Sequence, residues 1–141
     1  MKRKMNDKLN IAMLGHKRIP SREGGVEIVV EELATRMVKA GHSVTCYNRA
    51  GHHVSGKEFD SSDLKEYQGV KLKSVFTINH KGLAAMISSF FGTIYTAVCR
   101  YDVVHFHAEG SCVMLWLPKL FGKRCIVTIH GIDWLMINKK P

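Results

Sequence analysis

Short apolar runs alternate with longer amphipathic segments along this 141-residue chain, and this alternation restricts the fold more than any other feature of the sequence. Residues 9–15 are apolar and end in glycine, which is typical of a buried strand in a parallel sheet. From Val26 to Val38 apolar residues recur every three or four positions, which predicts an amphipathic helix. The same patterns predict further strands at 43–48, 70–78, 102–107 and 125–130, and helices at 83–99 and 112–121.

This order of strands and helices predicts the α/β class, with a Rossmann-like, doubly wound parallel sheet and right-handed crossovers. Residues 49–69 are polar and contain glycine, so we predict a loop with room for a short helix. After the strand at 125–130 no further strand pattern follows, and a doubly wound sheet usually continues. We therefore expect the sheet to be the incomplete front part of a larger fold.

The segment at 83–99 contains no charged residue and lies between Lys81 and Arg100. Its length reaches only the lower limit for a membrane-spanning helix. It also contains hydroxyl side chains, including those of Ser88, Ser89 and Thr93. We therefore predict a buried or half-buried helix within the domain rather than a membrane span.

Lysine and arginine number 21 and aspartate and glutamate 12, so the net charge is +9 with histidine neutral. Such a surplus favours an anionic partner: phosphate, nucleotide, nucleic acid or acidic lipid. The basic residues are dispersed and no nucleic-acid-binding motif is present, so no nucleic-acid partner is predicted. The four cysteines form no C-x-x-C pair and no secretory signal begins the sequence, which predicts free thiols and a cytoplasmic protein.

Histidines follow three of the predicted strands at the ends where ligands bind in open parallel sheets. His16 follows the first strand, His105 and His107 end the fourth, and His130 ends the fifth. These three strands are neighbours in a doubly wound order, so we expect the four imidazoles to lie at one edge. Each histidine alone suits a structural role, but the group predicts a functional site.

The loop at 16–25 contributes a second feature to the same edge. Gly24 and Gly25 directly precede the first helix, where free backbone amides attract phosphate and glycine lets a ligand approach. A tight turn would also explain two glycines, because the segment is neither G-x-G-x-x-G nor a P-loop. Lys17, Arg18 and Arg22 in the same loop favour an anionic ligand.

Three motifs together resemble glycosyltransferase family 4. They are residues 15–27 (GHKRIPSREGGVE) with the helix after them, residues 101–110 (YDVVHFHAEG) and residues 127–134 (VTIHGIDW). The resemblance follows the whole chain in order. It implies the GT-B fold, in which two Rossmann-like domains face each other across a cleft. Residues 1–141 would be the N-terminal, acceptor-side domain, with the C-terminal nucleotide-sugar domain absent from them.

The resemblance also implies an activity: transfer of a sugar from a nucleotide-sugar donor to a saccharide or lipid-linked acceptor, with retention, as in polysaccharide biosynthesis. The nucleotide-sugar is a substrate, so no cofactor and no metal is implied. The implied partners are the donor, the acceptor, the C-terminal domain and, peripherally, the inner face of the membrane. The implied roles are catalysis for His130, donor phosphate binding for Gly24 and Gly25, and contact with the acceptor side for Arg22, His107 and Glu109.

Two alternatives stay open at this point. His105 and His107 lie on one face of a strand, and with His130 they could hold a metal ion in a metal-dependent hydrolase. Alternatively, the chain is a truncated fragment without catalysis, because the implied second domain would bind most of the nucleotide. We expect little turnover from these 141 residues alone.

Overall fold

The computed structural model of the chain describes residues 8–16, 18–20, 25–49, 65–76, 83–107 and 114–129. These ranges contain strands and helices in the predicted alternation, so the α/β class is confirmed. The elements are β1 (Asn10–Leu14), α1 (Gly25–Lys39), β2 (Ser43–Arg49), β3 (Glu66–Tyr67), β4 (Val70–Val75), α2 (Leu83–Val98), β5 (Val103–His107), α3 (Trp116–Leu120) and β6 (Arg124–Thr128).

The strands form one sheet in the order β3-β4-β2-β1-β5-β6. β1 lies inside the sheet and pairs in parallel with β2 on one side and with β5 on the other. β4 and β6 extend the parallel part outwards, and β3 adds an antiparallel edge. The chain thus grows in one direction from β1 to β4 and then in the other, which is the predicted doubly wound, Rossmann-like order.

Alternating residues of β1 divide the core into two layers. Ile11 and Met13 face one side of the sheet and pack in the same cluster as Val30 and Ala34 of α1. Ala12 and Leu14 face the other side and pack in the cluster that Phe91 of α2 joins, with Leu115 and Cys125 around it. Because successive side chains of a strand point to opposite faces, α1 and α2 cover opposite faces of the sheet.

Helix α1 ends in a turn that also fixes the beginning of β1. Gly41 has a φ of 98°, and the N–H groups of Gly41 and His42 donate to the carbonyls of Val38 and Met37. This is the Schellman arrangement, which satisfies carbonyls that the helix leaves unpaired. The Nδ1 atom of His42 then accepts the N–H of Leu9 at 3.2 Å, so the helix terminus is hydrogen-bonded to the chain entering β1.

The short strand β3 corrects the prediction of a loop over residues 49–69. β3 and β4 form a hairpin whose two turn residues, Gln68 and Gly69, have φ angles of 47° and 83°. Positive φ at both central positions matches the twist of antiparallel strands. Sequence patterns missed the hairpin because glutamine rarely adopts this conformation and β3 has only two residues.

Other bounds differ slightly from the prediction. The strand predicted at 70–78 is described as Val70–Val75, and the helix predicted at 112–121 as the five-residue Trp116–Leu120. No helix within the described ranges is long and apolar enough to cross a membrane. Cys46, Cys99 and Cys125 are free thiols, as predicted, and Cys112 lies outside the described residues.

We expect the substitution Gly69→Ala to lower the free energy of unfolding by ~1–2 kcal/mol, because alanine is strained at positive φ. Its Cβ would also lie 2.7 Å from Cγ1 of Val38. The matched variant Gln68→Gly removes strain at the neighbouring position and should be neutral or stabilising. Urea denaturation measures both, and destabilisation of similar size in the two variants would contradict the hairpin geometry.

Candidate functional site

The carboxyl ends of β1, β5 and β6 meet at one edge of the sheet. In the parallel register, Met13 of β1 lies beside His105, and His107 lies beside Thr128 of β6. His105 and His107 both belong to β5 and are both buried. Their rings are 4.0 Å apart between centroids and inclined by 32°, so the prediction that they share one face of a strand is confirmed.

The imidazole of His105 is fixed by the next strand. Its Nε2 atom lies 2.7 Å from the hydroxyl oxygen of Thr128, the last residue of β6. The ring of His107 lies against this fixed ring.

His16 lies just beyond β1 in a network that determines its tautomer. The side-chain amide nitrogen of Asn48 donates to the carbonyl of Ile19 at 3.0 Å, so its Oδ1 atom is an acceptor. That Oδ1 accepts the N–H of Ile19 at 3.1 Å and lies 2.9 Å from Nε2 of His16. Nε2 of His16 must therefore carry the proton, which leaves Nδ1 as the acceptor of the neutral ring.

Burial keeps the His16 ring neutral. Its side chain is 1% exposed. Loss of hydration lowers its pKa to about 4, against opposing effects of the Asn48 hydrogen bond and of Glu27, while Arg49 adds to the lowering. Among the described residues Nδ1 of His16 has no hydrogen-bond partner. The ring therefore presents a buried acceptor at the edge where β1 passes into the loop before α1.

Charged side chains surround the beginning of α1. Glu27 in its first turn and Arg18 in the loop are both buried. Arg49, at the end of β2, is half-buried, and burial lowers its pKa while Glu27 acts in the opposite direction. Its guanidinium remains cationic at physiological pH. Arg49 therefore brings positive charge near Glu27 in the first turn of α1, and a helix N-terminus attracts anionic groups.

The structure locates two of the predicted site residues. Gly25 is the first residue of α1 and is exposed, and a Cβ built on it would meet no atom within 4 Å. His107 ends β5 at the same edge of the sheet. The remaining four predicted site residues, Arg22, Gly24, Glu109 and His130, lie outside the described residues, and their roles stay predictions.

Sequence reasoning missed the contributions of Asn48, Arg49, Glu27 and Thr128. A signal for the first two was available, because the strand at 43–48 ends in consecutive polar residues beside β1, just as the fourth strand ends in histidines. The hydrogen bond between Thr128 and His105 had no such signal, since it depends on the register of β6.

The described residues contain no group of three or more histidine, cysteine, aspartate or glutamate side chains that could hold a metal ion. Two of the three ligands predicted for a metal-dependent hydrolase, His105 and His107, have ring centroids 4.0 Å apart. The third, His130, lies outside the described residues. The part of the chain that the structure describes therefore gives the hydrolase alternative no support.

A family model described as Glycosyltransferase Family 4 matches residues 23–140, which is most of the chain and includes every element from α1 to β6. No curated protein matches the sequence.

We expect the chain to lose stability as the pH falls through the window set by His16. Unfolded, the ring titrates at its ordinary value of 6.5, whereas in the fold it takes up a proton only at about 4. Between these values the unfolded state binds more protons, so the free energy of unfolding falls with falling pH, by ~3 kcal/mol in total. Urea denaturation at a series of pH values measures this, and His16→Gln should flatten the curve.

Asn48→Asp serves as the control. A carboxylate at this position stabilises the imidazolium, so the pKa of His16 should rise and the loss of stability should shrink. NMR titration of the His16 ring reads the pKa directly. A ring that titrates near 6.5 in the unsubstituted chain would contradict the buried, neutral state described above.

Proposed function

Since the chain belongs to glycosyltransferase family 4, we propose that it forms the acceptor-side domain of an enzyme that transfers a sugar from a nucleotide-sugar to a saccharide or lipid-linked acceptor, with retention of configuration. The observation that carries this proposal is the placement of the α1 N-terminus beside the carboxyl ends of the parallel strands. In doubly wound sheets, ligands bind at this point. Membership of the family implies in general that the substrates are sugars. The classes of donor and acceptor are part of this proposal.

The donor diphosphate binds at the beginning of α1 in this proposal. The first amides of a helix have no partner within it and form the positive end of its dipole. Gly25 leaves open space there, so that a phosphate oxygen can approach the backbone. Gly24 would contribute the adjacent amide. Arg49 adds positive charge from the end of β2, and Glu27 balances part of it.

The chemistry that these groups favour is departure of the nucleoside diphosphate. Negative charge grows on the leaving group in the transition state, and oriented amides and fixed cations stabilise it without reorganising. His130 is the proposed catalytic residue, hydrogen-bonded to the reacting sugar. The ring of His16, buried at the same edge, is neutral near neutral pH because its pKa is about 4, so it is not one of the cations that stabilise the leaving group.

The acceptor binds on the side of the edge formed by β5. His107 is the described residue of this side, and Arg22 and Glu109 complete it in the proposal. Thr128 is hydrogen-bonded to His105, whose ring lies against that of His107, and this contact supports a defined position for His107 beside a sugar hydroxyl. The nucleotide-sugar serves as substrate, and no cofactor takes part. We place the reaction in the cytoplasm, in polysaccharide biosynthesis, with lipid-linked acceptors reached at the inner face of the membrane.

Binding of nucleoside diphosphates tests the donor site. UDP, GDP and ADP added to the 15N-labelled chain should shift the amide of Gly25 and its neighbours in α1, with a Kd of about 1 mM or weaker, because the proposed second domain holds most of the nucleotide. Gly25→Ala should weaken binding by about tenfold, since a methyl group blocks approach to the amides. Its free energy of unfolding should not fall, because the added Cβ meets nothing.

Lys39→Ala is the matched control. It removes a positive charge at the opposite end of the same helix. Binding that depended only on overall positive charge would weaken in this variant, whereas the amides at the beginning of α1 stay accessible. Unchanged binding in this variant and weaker binding in Gly25→Ala support the proposal. Binding that both variants weaken equally, or a Kd below about 10 μM for this chain alone, would contradict the assigned site or the domain assignment.

His130→Ala tests the catalytic assignment. In an enzyme that carries the proposed second domain, we expect the rate of sugar transfer, measured as release of nucleoside diphosphate in the presence of acceptor, to fall about 100-fold with little change in KM. The reason is that a hydrogen bond to the reacting sugar acts mainly in the transition state. Transfer at an unchanged rate would remove His130 from the mechanism.

A further inference from the structure

A glycine at the carboxyl edge of the sheet lies between two polar residues of the neighbouring strands. Gly15 directly follows β1, and continuing the register of the parallel sheet brings it between Asn48 of β2 and His107 of β5. Asn48 and His107 lie on the side of the sheet that α1 covers, because they follow Cys46 and Val103 of that side by two and four residues. Since glycine has no side chain, a ligand can approach the backbone of β1 between them.

The imidazole of His16, the next residue along the chain, is held against Asn48. Its Nε2 atom donates to Oδ1 of Asn48 at 2.9 Å. Asn48 is held in turn by two hydrogen bonds to the backbone of Ile19, whose side chain is completely buried. The ring of His16 is therefore presented with Nε2 as a donor to the protein and Nδ1 as an acceptor.

The acceptor at Nδ1 of His16 has no use within the described part of the fold. The atom is buried and has no hydrogen-bond partner among the described residues. Asn48 cannot supply the donor, because it already binds the opposite nitrogen of the same ring. Buried polar atoms without a partner are rare and costly in folded proteins, so this one requires a reason. A ligand group that donates a hydrogen bond to Nδ1 supplies that reason.

A buried donor without a partner lies in the same part of the edge. Arg49 is the last residue of β2, and its Nε atom has no hydrogen-bond partner within the described ranges. The charges of Arg49 and of Glu27, in the first turn of α1, both act on the ring of His16, so the three side chains are near one another. One unpaired acceptor and one unpaired donor are thus brought together beside the beginning of α1.

These two atoms together distinguish between classes of ligand group. An ionised phosphate oxygen only accepts hydrogen bonds, so it can bind Arg49 but cannot bind Nδ1 of His16. A hydroxyl both donates and accepts, so the hydroxyls of a sugar can satisfy both atoms. Burial lowers the pKa of His16 to about 4, and Nδ1 therefore stays an acceptor near neutral pH instead of becoming a donor to an anion.

We propose that His16 is a specificity-determining residue, whose Nδ1 atom accepts a hydrogen bond from a sugar hydroxyl, and that Asn48 is the positioning residue that holds the ring for this contact. The amides at the beginning of α1 bind phosphate, and the neutral imidazole beside them binds a hydroxyl and rejects an anion. The hydroxyl belongs to the sugar of the donor or to a saccharide acceptor, and its chemistry is the same in both.

This inference rests on the proposed function, because it requires a sugar at this edge of the sheet, and it adds a residue that recognises the sugar. The two are measured by different nuclei. The backbone amides of Gly25 and its neighbours report phosphate binding, whereas the ring nitrogens of His16 report a hydrogen bond from a hydroxyl. Amide shifts without a response of the His16 ring would therefore refute this inference and leave the donor site standing.

NMR of the imidazole nitrogens in the 15N-labelled chain tests the contact directly. The probes are UDP-glucose, UDP-N-acetylglucosamine and GDP-mannose, with the methyl glycosides of the same sugars and sulfate. At least one sugar ligand should shift the Nδ1 resonance of His16 upfield, as acceptance of a hydrogen bond does, and leave Nε2 unshifted. Sulfate has no proton to donate near neutral pH, so it should leave Nδ1 unshifted. A response to nucleotide-sugars assigns the hydroxyl to the donor, and a response to methyl glycosides assigns it to the acceptor.

Three results of this titration would overturn the inference. The first is an Nδ1 resonance that none of the sugar ligands shifts. The second is an equal shift with sulfate, which would mean that the ring responds to any anion at the edge. The third is an Nδ1 that is already hydrogen-bonded in the free chain and does not change on titration, because a buried water molecule would then satisfy it.

The variants His16→Gln and His16→Asn separate recognition of the hydroxyl from support of the fold. The longer glutamine amide reaches the position of Nε2 and keeps the bond to Asn48, but it has no acceptor at Nδ1. Asparagine places an oxygen near Nδ1 but is too short to reach Asn48. His16→Gln should therefore weaken binding of the responding sugar ligand about tenfold, and by more than His16→Asn does. A purely structural role of His16 predicts the reverse order in binding, and that order would contradict the inference.

Discussion

The parallel pairing of β1 with both β2 and β5 is the constraint on which the other features depend. β1 is buried on both faces, and its neighbours come from opposite halves of the chain, so the sheet reverses its direction of growth there. This reversal brings the ends of β1, β2, β5 and β6 to one edge and delivers the N-terminus of α1 to the same place. The candidate site is thus assembled from the ends of four strands and the beginning of a helix.

Polar groups at that edge are held with little freedom. Asn48 forms paired hydrogen bonds with the backbone of Ile19 and a third with His16, and Thr128 bonds to His105. Buried hydrogen bonds of this kind limit the orientations that each ring can adopt. The same burial makes His16 neutral near physiological pH and connects the stability of the domain to pH.

The two faces of the sheet are covered by helices of different composition. α1 carries a buried apolar side and exposed residues of both charges, such as Glu32 and Arg36. α2 places hydroxyls and glycine inward and its large apolar residues outward. Because the small residues let α2 approach the sheet closely, packing of the core and exposure of the apolar side chains are consequences of the same sequence pattern.

Local patterns in the sequence determined the class of fold, the order of strands and the edge at which His16, His105 and His107 lie, because hydrophobic periodicity and glycine positions act over a few residues. The sequence also indicated the position of the helix at 83–99, whose charge-free pattern is compatible with either burial or exposure. Only the tertiary structure decided which side of that helix faces out, since the answer depends on how closely Gly92 approaches Leu14. Likewise, the partners of His16 and His105 come from strands distant in sequence, and the register that joins them is a property of the folded sheet alone.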